Sequence, residues 1–279
     1  MAVCFSLLLA PMAMAQSLEQ TVALADEQVT LNNYEGTLRH YRRALFFDDG
    51  SQRLALCQKL ADCYLQLGNT KQGTYFLDAA YAAVPESASA DSLKNELIFD
   101  KTAALIRAGD YNFAQLELLN LNPSLPSEFD RKRTFYTAVI HFQLEDFEAS
   151  KTAFLALCGH VEGNADRIDA LFEQNHKLKR INPNKVRMMS VIVPGLGQFW
   201  CGDVKNGLNS LLLTGGFAAL FVAVGAEFTL IDALVSVMPW YQRYYIGGYQ
   251  KAYEIAQNKV QSKRNVIYQQ LLLMVAQSM

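Results

Sequence analysis

The sequence predicts an all-α chain: a solenoid of antiparallel helix pairs, then a transmembrane helical hairpin, then a C-terminal amphipathic helix. Three observations carry that expectation. Aromatic or equivalent positions recur at Tyr34, Thr70, Tyr111 and Phe147, with spacings of 36, 41 and 36 residues. From Gly207 to Ala226 no residue is charged, and about twenty such residues suffice to cross a bilayer as a helix. After Gly247-Gly248, the stretch Lys251 to Gln277 keeps Lys259, Lys263 and Arg264 on a polar side.

The repeat is read first because self-similarity at such periods decides the architecture. Three residues after each recurring position stands a small residue: Thr37, Gly73, Ala114 and Ser150. Seven after it stands a large apolar one: Tyr41, Leu77, Leu118 and Phe154. Nine before it stands another small one: Ala25, Ala61, Thr102 and Ala138. Gly68-Asn69 and Gly109-Asp110 read as turns. Pro85 and Pro126, each fifteen residues after its anchor, end helices. Antiparallel helices approach closely only where facing positions are small, and each pair needs a neighbour to cover its apolar face.

At these positions the segment resembles tetratricopeptide repeats, most closely over Gln52 to Pro85. The first unit lacks the turn glycine, and Leu121 and Leu157 replace the late small residue of the third and fourth. The resemblance implies a concave surface lined by the first helix of each pair. The groove residues it implies are Gln58, Asp62 and Gln66, then Phe99 and Arg107, then Phe135 and Gln143. Phe99 and Phe135 occupy equivalent positions. They either anchor a peptide partner or pack between neighbouring units.

The expected divisions are a signal peptide over 1–15, about four repeats over 16–163, a capping or linker helix over 164–187, a membrane module over 188–249 and the amphipathic helix over 250–279. The signal reading rests on an apolar core followed by Ala13-Met14-Ala15.

The membrane module opens with Pro194-Gly195-Leu196-Gly197-Gln198-Phe199-Trp200-Cys201-Gly202, and Gly207 follows. The third glycine of a dinucleotide fingerprint is replaced by Trp200, so nucleotide binding is not expected. Pro194 and the two glycines are expected to break an interfacial helix, with Phe199 and Trp200 at the headgroup boundary. The run resembles bacterial membrane domains that begin Pro-Gly-x-Gly-Gln-aromatic-aromatic-x-Gly and continue as a hydrophobic hairpin. That resemblance implies a Gram-negative cell-envelope location and no defined chemistry. Gly215, Ala219 and Ala223 repeat every four residues, which predicts close contact with a second span, Phe228 to about Ile246. Asp232 inside that span would cost roughly 2.5–3.5 kcal/mol at a helix centre, which places it nearer the headgroups. Tyr241, Tyr244, Tyr245, Tyr249 and Tyr253 form an expected aromatic belt.

Chemistry is sparse. Net charge is −2, so no global field draws nucleic acid. Cys57 and Cys63 lie six apart on a predicted helix, about 9 Å along its axis, too far for a disulfide. His160, Glu162, Asp166, Asp169 and His176 match no metal-ligand spacing. No nucleophile elbow, phosphate loop or CxxC pair is present. The expectation is a non-enzymatic adaptor without cofactor or metal. Its repeats bind a protein partner while the hairpin sits in the bacterial inner membrane. The alternative is a transport component or enzyme using Glu227, Asp232 and Arg243. Basic residues flank the hairpin and favour cytoplasmic repeats, but an export signal overrides such bias for long domains, so the repeats are expected in the periplasm.

Overall fold

The computed structural model describes residues 17–87, 89–122 and 127–278. The signal segment expected over 1–15 and Pro126 lie outside the described residues. These are helical, with no strand among them. The chain forms two compact units, Met1–Ser150 and Lys151–Met279. The division falls inside a helix rather than at residue 163.

The first unit is a succession of helices: α1 (Leu18–Thr30), α2 (Tyr34–Phe47), α3 (Arg53–Gln66), α4 (Thr70–Ala82), α5 (Ala90–Ala108), α6 (Tyr111–Leu118), α7 (Ser127–Gln143) and the start of α8 (Phe147–Cys158). Each of α1 to α6 packs on the next in sequence. The first helix begins with a reciprocal cap, in which the Gln20 amide N–H donates to the Ser17 hydroxyl and the Ser17 N–H to the Gln20 side chain.

Every recurring position of the sequence is the first residue of an even-numbered helix: Tyr34, Thr70, Tyr111 and Phe147. The same turn precedes each. Asn32, Gly68, Gly109 and Glu145 adopt left-handed backbone, with φ of 56°, 73°, 82° and 63°. The residue that follows each donates its N–H five residues back. These bonds are Asn33 to Gln28, Asn69 to Tyr64, Asp110 to Leu105 and Asp146 to His141, at 2.8–3.0 Å. Such bonds satisfy carbonyls that a helix end leaves without partners. Asn33, Asn69 and Asp146 then accept from backbone N–H groups of the next helix. One short stretch thus ends one helix and starts the other.

The small positions do what close packing needs. Thr37, Gly73, Ala114 and Ser150 are buried, and so are Ala25, Ala61, Thr102 and Ala138. A Cβ on Gly73 would sit 2.5 Å from the Leu65 side chain. Buried Ser150 spends its hydroxyl on the Ala138 carbonyl at 2.9 Å. Leu56, Leu60, Tyr41, Leu77 and their neighbours form one continuous apolar core across α1 to α5. Cys57 and Cys63 are free thiols within it.

The second unit runs from the rest of α8 through α9 (Asn164–Leu178), α10 (Pro183–Ile192), α11 (Leu196–Trp200), α12 (Val204–Glu227), α13 (Leu230–Ser236) and α14 (Met238–Gln277). The linker expected over 164–187 is therefore two helices, separated where Asn182 caps α10 and Pro183 opens it. The last helix is the spine: α9, α10, α11, α12 and α13 all pack against it.

Two expectations about this unit are corrected. The second span, Phe228 to Ile246, is not one helix. The chain breaks at Phe228, Thr229 caps α13 through the Asp232 N–H, and α14 begins afresh with Pro239 in its first turn. Among the described residues, α12 is the one helix long and apolar enough to cross a membrane. The C-terminal amphipathic helix is not a separate element either, because α14 continues through Gly247-Gly248 without interruption.

Candidate functional site

In the first unit, three odd-numbered helices contribute to a charged face. Asp62 on α3 carries an exposed carboxyl, yet surrounding protein desolvates it and raises its pKa, against the opposing pull of Arg107. Asp100 on α5 is raised in the same way, with Lys132 and Arg107 opposing and Glu96 and Asp62 reinforcing. Tyr136 on α7 is raised by desolvation, then by Asp100 and Glu96. Lys132 bridges to Glu96 at 2.5 Å.

The structure thus brings Asp62 and Arg107 of the expected groove into one electrostatic neighbourhood. Gln58 and Gln66 share α3 with Asp62 at four-residue spacing and are half-buried and exposed respectively. Phe135 and Gln143 are half-buried on α7.

Phe99 is not a groove residue. Its side chain is 0% exposed, stacked between Phe129 and Tyr136 at 6.0 and 5.6 Å, with the Lys132 ammonium 4.8 Å from its ring. It joins α5 to α7, and Phe135 instead tilts against Tyr136. The two residues match in the repeat but not in environment. Asp100, Glu96 and Lys132 were missed because the repeat pattern marks small and large positions, not charges that converge from different helices.

In the second unit, the Pro-Gly-x-Gly-Gln run is a packing device. Pro194 sits between α10 and α11, where Gly195 turns the chain at φ 91°. A Cβ there would meet the Gly207 carbonyl oxygen at 2.3 Å. A Cβ on Gly197 would meet the Val186 carbonyl oxygen at 2.2 Å. Gly207 receives the Phe199 ring at a distance that leaves no room for a side chain. Phe199 is consequently half-buried, whereas Trp200 is 68% exposed. Gly202 makes the last turn at φ 81°, and Asp203 caps α12 through the Asn206 N–H.

Gln198 is the centre of this device and is 0% exposed. Its side-chain oxygen accepts from the Ser190 hydroxyl at 2.7 Å, and its amide donates to the Gly248 carbonyl at 2.8 Å. The Ser190 hydroxyl also accepts from the Gly197 N–H. One glutamine therefore ties α10, α11 and α14 together. Tyr245 adds a bond to the Val191 carbonyl at 2.8 Å, and Lys259 one to the Cys201 carbonyl at 2.7 Å.

The helices α12 and α14 run antiparallel. Ser210 lies at Gly248, Phe217 stacks on Tyr244 at 5.1 Å, and Gly225 lies against Leu230 and Ala233 of α13. The contacting stripe is thus Gly207, Ser210, Thr214, Phe217 and Gly225. The expected stripe is corrected: Gly215, Ala219 and Ala223 are exposed, and nothing lies within 4 Å of a Cβ built on Gly215. Residue 214 faces the neighbour, and a one-residue step turns the helix by about 100°.

Comparison with protein-family models, curated proteins and solved structures finds no match to this chain.

The alternative polar trio is not assembled. Asp232 accepts at 2.6 Å from the hydroxyl of Thr229, the cap of α13. Glu227 is exposed at the end of α12. Arg243 lies toward the opposite end of the antiparallel pair, lining a cavity with Ser210 and Gly248. Among the described residues no three His, Cys, Asp or Glu side chains converge as metal ligands. The tyrosines expected as a belt are half-buried; Tyr245 stacks on Tyr241 at 5.7 Å and meets Tyr249 edge to face at 5.6 Å.

Proposed function

We propose that this chain is a membrane-anchored helical scaffold that holds a protein partner at the bacterial cell envelope. One observation carries the membrane part. The apolar window of α12 is only 17% buried, so its hydrocarbon side chains face outward instead of forming a core. Leu208, Leu212, Leu220 and Val222 are among those exposed, and Ile231, Leu234 and Val235 extend the surface onto α13. A monomer in water would not keep so large an apolar patch uncovered. The helix is about 36 Å long at 1.5 Å per residue, against a hydrocarbon core of about 30 Å. With α14 antiparallel to it, the pair suits a hairpin, α13 forming the tip.

The scaffold part is supported by four identical turns setting up successive helix pairs in tetratricopeptide-like fashion. The concave charges Asp62, Asp100 and Arg107 are the surface offered to the partner. The same reading puts the hairpin in the inner membrane and the helix pairs in the periplasm.

Extraction of membranes with alkaline carbonate tests the anchoring: the chain stays in the pellet if α12 is inserted, and release into the supernatant overturns it. Crosslinking in intact cells tests the scaffold. The partners captured by the wild-type chain are lost from a variant carrying Asp62→Lys and Asp100→Lys. An unchanged set rejects this face. An active alkaline phosphatase fused after residue 170 places the helix pairs outside the cytoplasm, and an inactive fusion removes that assignment.

A further inference from the structure

We infer that the cavity between α11, α12 and α14 binds the phosphate of an anionic membrane phospholipid. The cavity measures about 360 Å³, and its lining includes Asn206, Asn209, Ser210, Arg243, Tyr244 and Lys251. It rests on the membrane reading above, because a lipid headgroup reaches it only if α12 is inserted.

Four features fit that ligand. Arg243 and Lys251, eight residues or about two turns apart on α14, line one cavity, and the only carboxylate paired with either among the described residues is Glu254, an exposed partner 3.1 Å from Lys251. Exposed pairs of this kind are weak and give way to a better anion. Asn206 and Asn209 lie in the first two turns of α12, where the positive end of the helix dipole favours negative charge. A second carboxylate near Lys251, Asp203, is engaged in the cap of α12 by the Asn206 N–H and side-chain amide.

The fourth feature is independent of charge. Ser210 is only 8% exposed, lines the cavity, and its hydroxyl has no hydrogen-bond partner among the described residues. A buried hydroxyl without a partner costs roughly 1–3 kcal/mol, and a serine in a helix normally returns its proton to the carbonyl four residues back. Here the hydroxyl, packed against Gly248, keeps an unused donor in the wall of a cavity that two cations also line.

The position selects a lipid over a soluble anion. Leu213, on the apolar run of α12, lines the same cavity. A phosphodiester seated between Arg243 and Lys251 would direct its acyl chains past Leu213, along the helix read as membrane-spanning. A choline or ethanolamine cation would meet the same two positive side chains, so an uncharged glycerol headgroup is favoured.

The test uses the full chain in nanodiscs and native mass spectrometry of the protein released into detergent. With equimolar phosphatidylglycerol and phosphatidylcholine, the wild-type chain retains one phosphatidylglycerol at least five-fold over phosphatidylcholine. The Arg243→Gln, Lys251→Gln double variant loses that preference, and Ser210→Ala weakens it while circular dichroism stays unchanged. A chain that enters nanodiscs but retains both lipids equally, or a double variant that behaves as wild type, overturns this inference and leaves the membrane reading standing. Protection against heat by millimolar inorganic phosphate in detergent, equal to that by the lipid, reassigns the site to free phosphate and overturns it too. A chain that fails to enter nanodiscs overturns the membrane reading itself.

Discussion

Gln198 and Gly248, fifty residues apart, are joined by a 2.8 Å bond from the glutamine amide to the glycine carbonyl. The oxygen of the same side chain takes the Ser190 proton, so one buried group closes a contact between three helices. Replacing Gln198 by Leu keeps the approximate volume and removes both bonds, leaving the Ser190 proton without an acceptor while the Gly248 carbonyl stays within the helix ladder of α14. The expected loss is about 1–3 kcal/mol for the orphaned donor, read as a fall in thermal midpoint of the detergent-solubilised chain. An unchanged midpoint would mean that the bond contributes nothing.

Gly197→Ala should be worse than Gly248→Ala. The first places a methyl 2.2 Å from a backbone oxygen of α10, which cannot move alone. The second places one 2.5 Å from the Ser210 hydroxyl, which can rotate away. Limited proteolysis between α10 and α12 measures the difference, and equal resistance of the two variants would contradict it.

The turn preceding α6 needs left-handed backbone at Gly109, and nothing crowds a side chain there. Gly109→Ala should therefore cost only the backbone term, about 1 kcal/mol. Glu145 already bears a side chain in the same conformation, so Glu145→Gly should move stability the other way. Urea denaturation of both variants checks the opposite signs.

Acid should weaken the contact between α1 and α3. Burial pushes the Asp26 carboxyl up, but the Lys59 ammonium at 2.6 Å and the Tyr41 hydroxyl overcome it and hold the pKa below its usual value of 3.8. A carboxyl held low in the folded state contributes stability above its unfolded pKa, and loses it as pH falls through the folded one. Stability of the wild type should thus drop more steeply below about pH 4 than that of Asp26→Asn. Parallel acid limbs in urea titrations would remove the pair from the account.

Burial raises the Cys63 thiol to about 11 from 9.0, with Asp62 and Asp26 adding to the effect. At pH 8 that cuts its thiolate fraction about a hundredfold, and the thiolate is the species that reacts. Iodoacetamide should leave Cys57 and Cys63 unmodified until denaturant is added, as followed by mass spectrometry. Rapid modification of the native chain would show that α3 opens readily.

Much of the helical organisation was legible because close packing leaves marks on sequence. Tyr34, Thr70, Tyr111 and Phe147 each start a helix because the turn before them is the same object four times over. An Asn or Asp precedes each of those helices; it was equally readable and was passed over at Asn33 and Asp146. The uncharged run found α12 because twenty residues without a charge or a proline read as one long apolar helix. Which face of α12 touches α14 was not legible. Gly215, Ala219 and Ala223 look like a contact stripe, while Ser210 and Thr214 look like interruptions, and the contact uses the interruptions. Likewise Phe99 and Phe135 share a repeat position, but stacking with Phe129 buries only the first. Periodicity ranks faces by composition, whereas contact depends on what the neighbouring helix presents.

The forty residues of α14 form one uninterrupted helix that meets α12 at Tyr244 and α9 near Met274. At 1.5 Å per residue those points are about 45 Å apart. A rod of that length bends only gently. It therefore couples its two ends rigidly: any tilt of α14 where it meets α12 carries its far end, and the α9 packed there, through a larger arc.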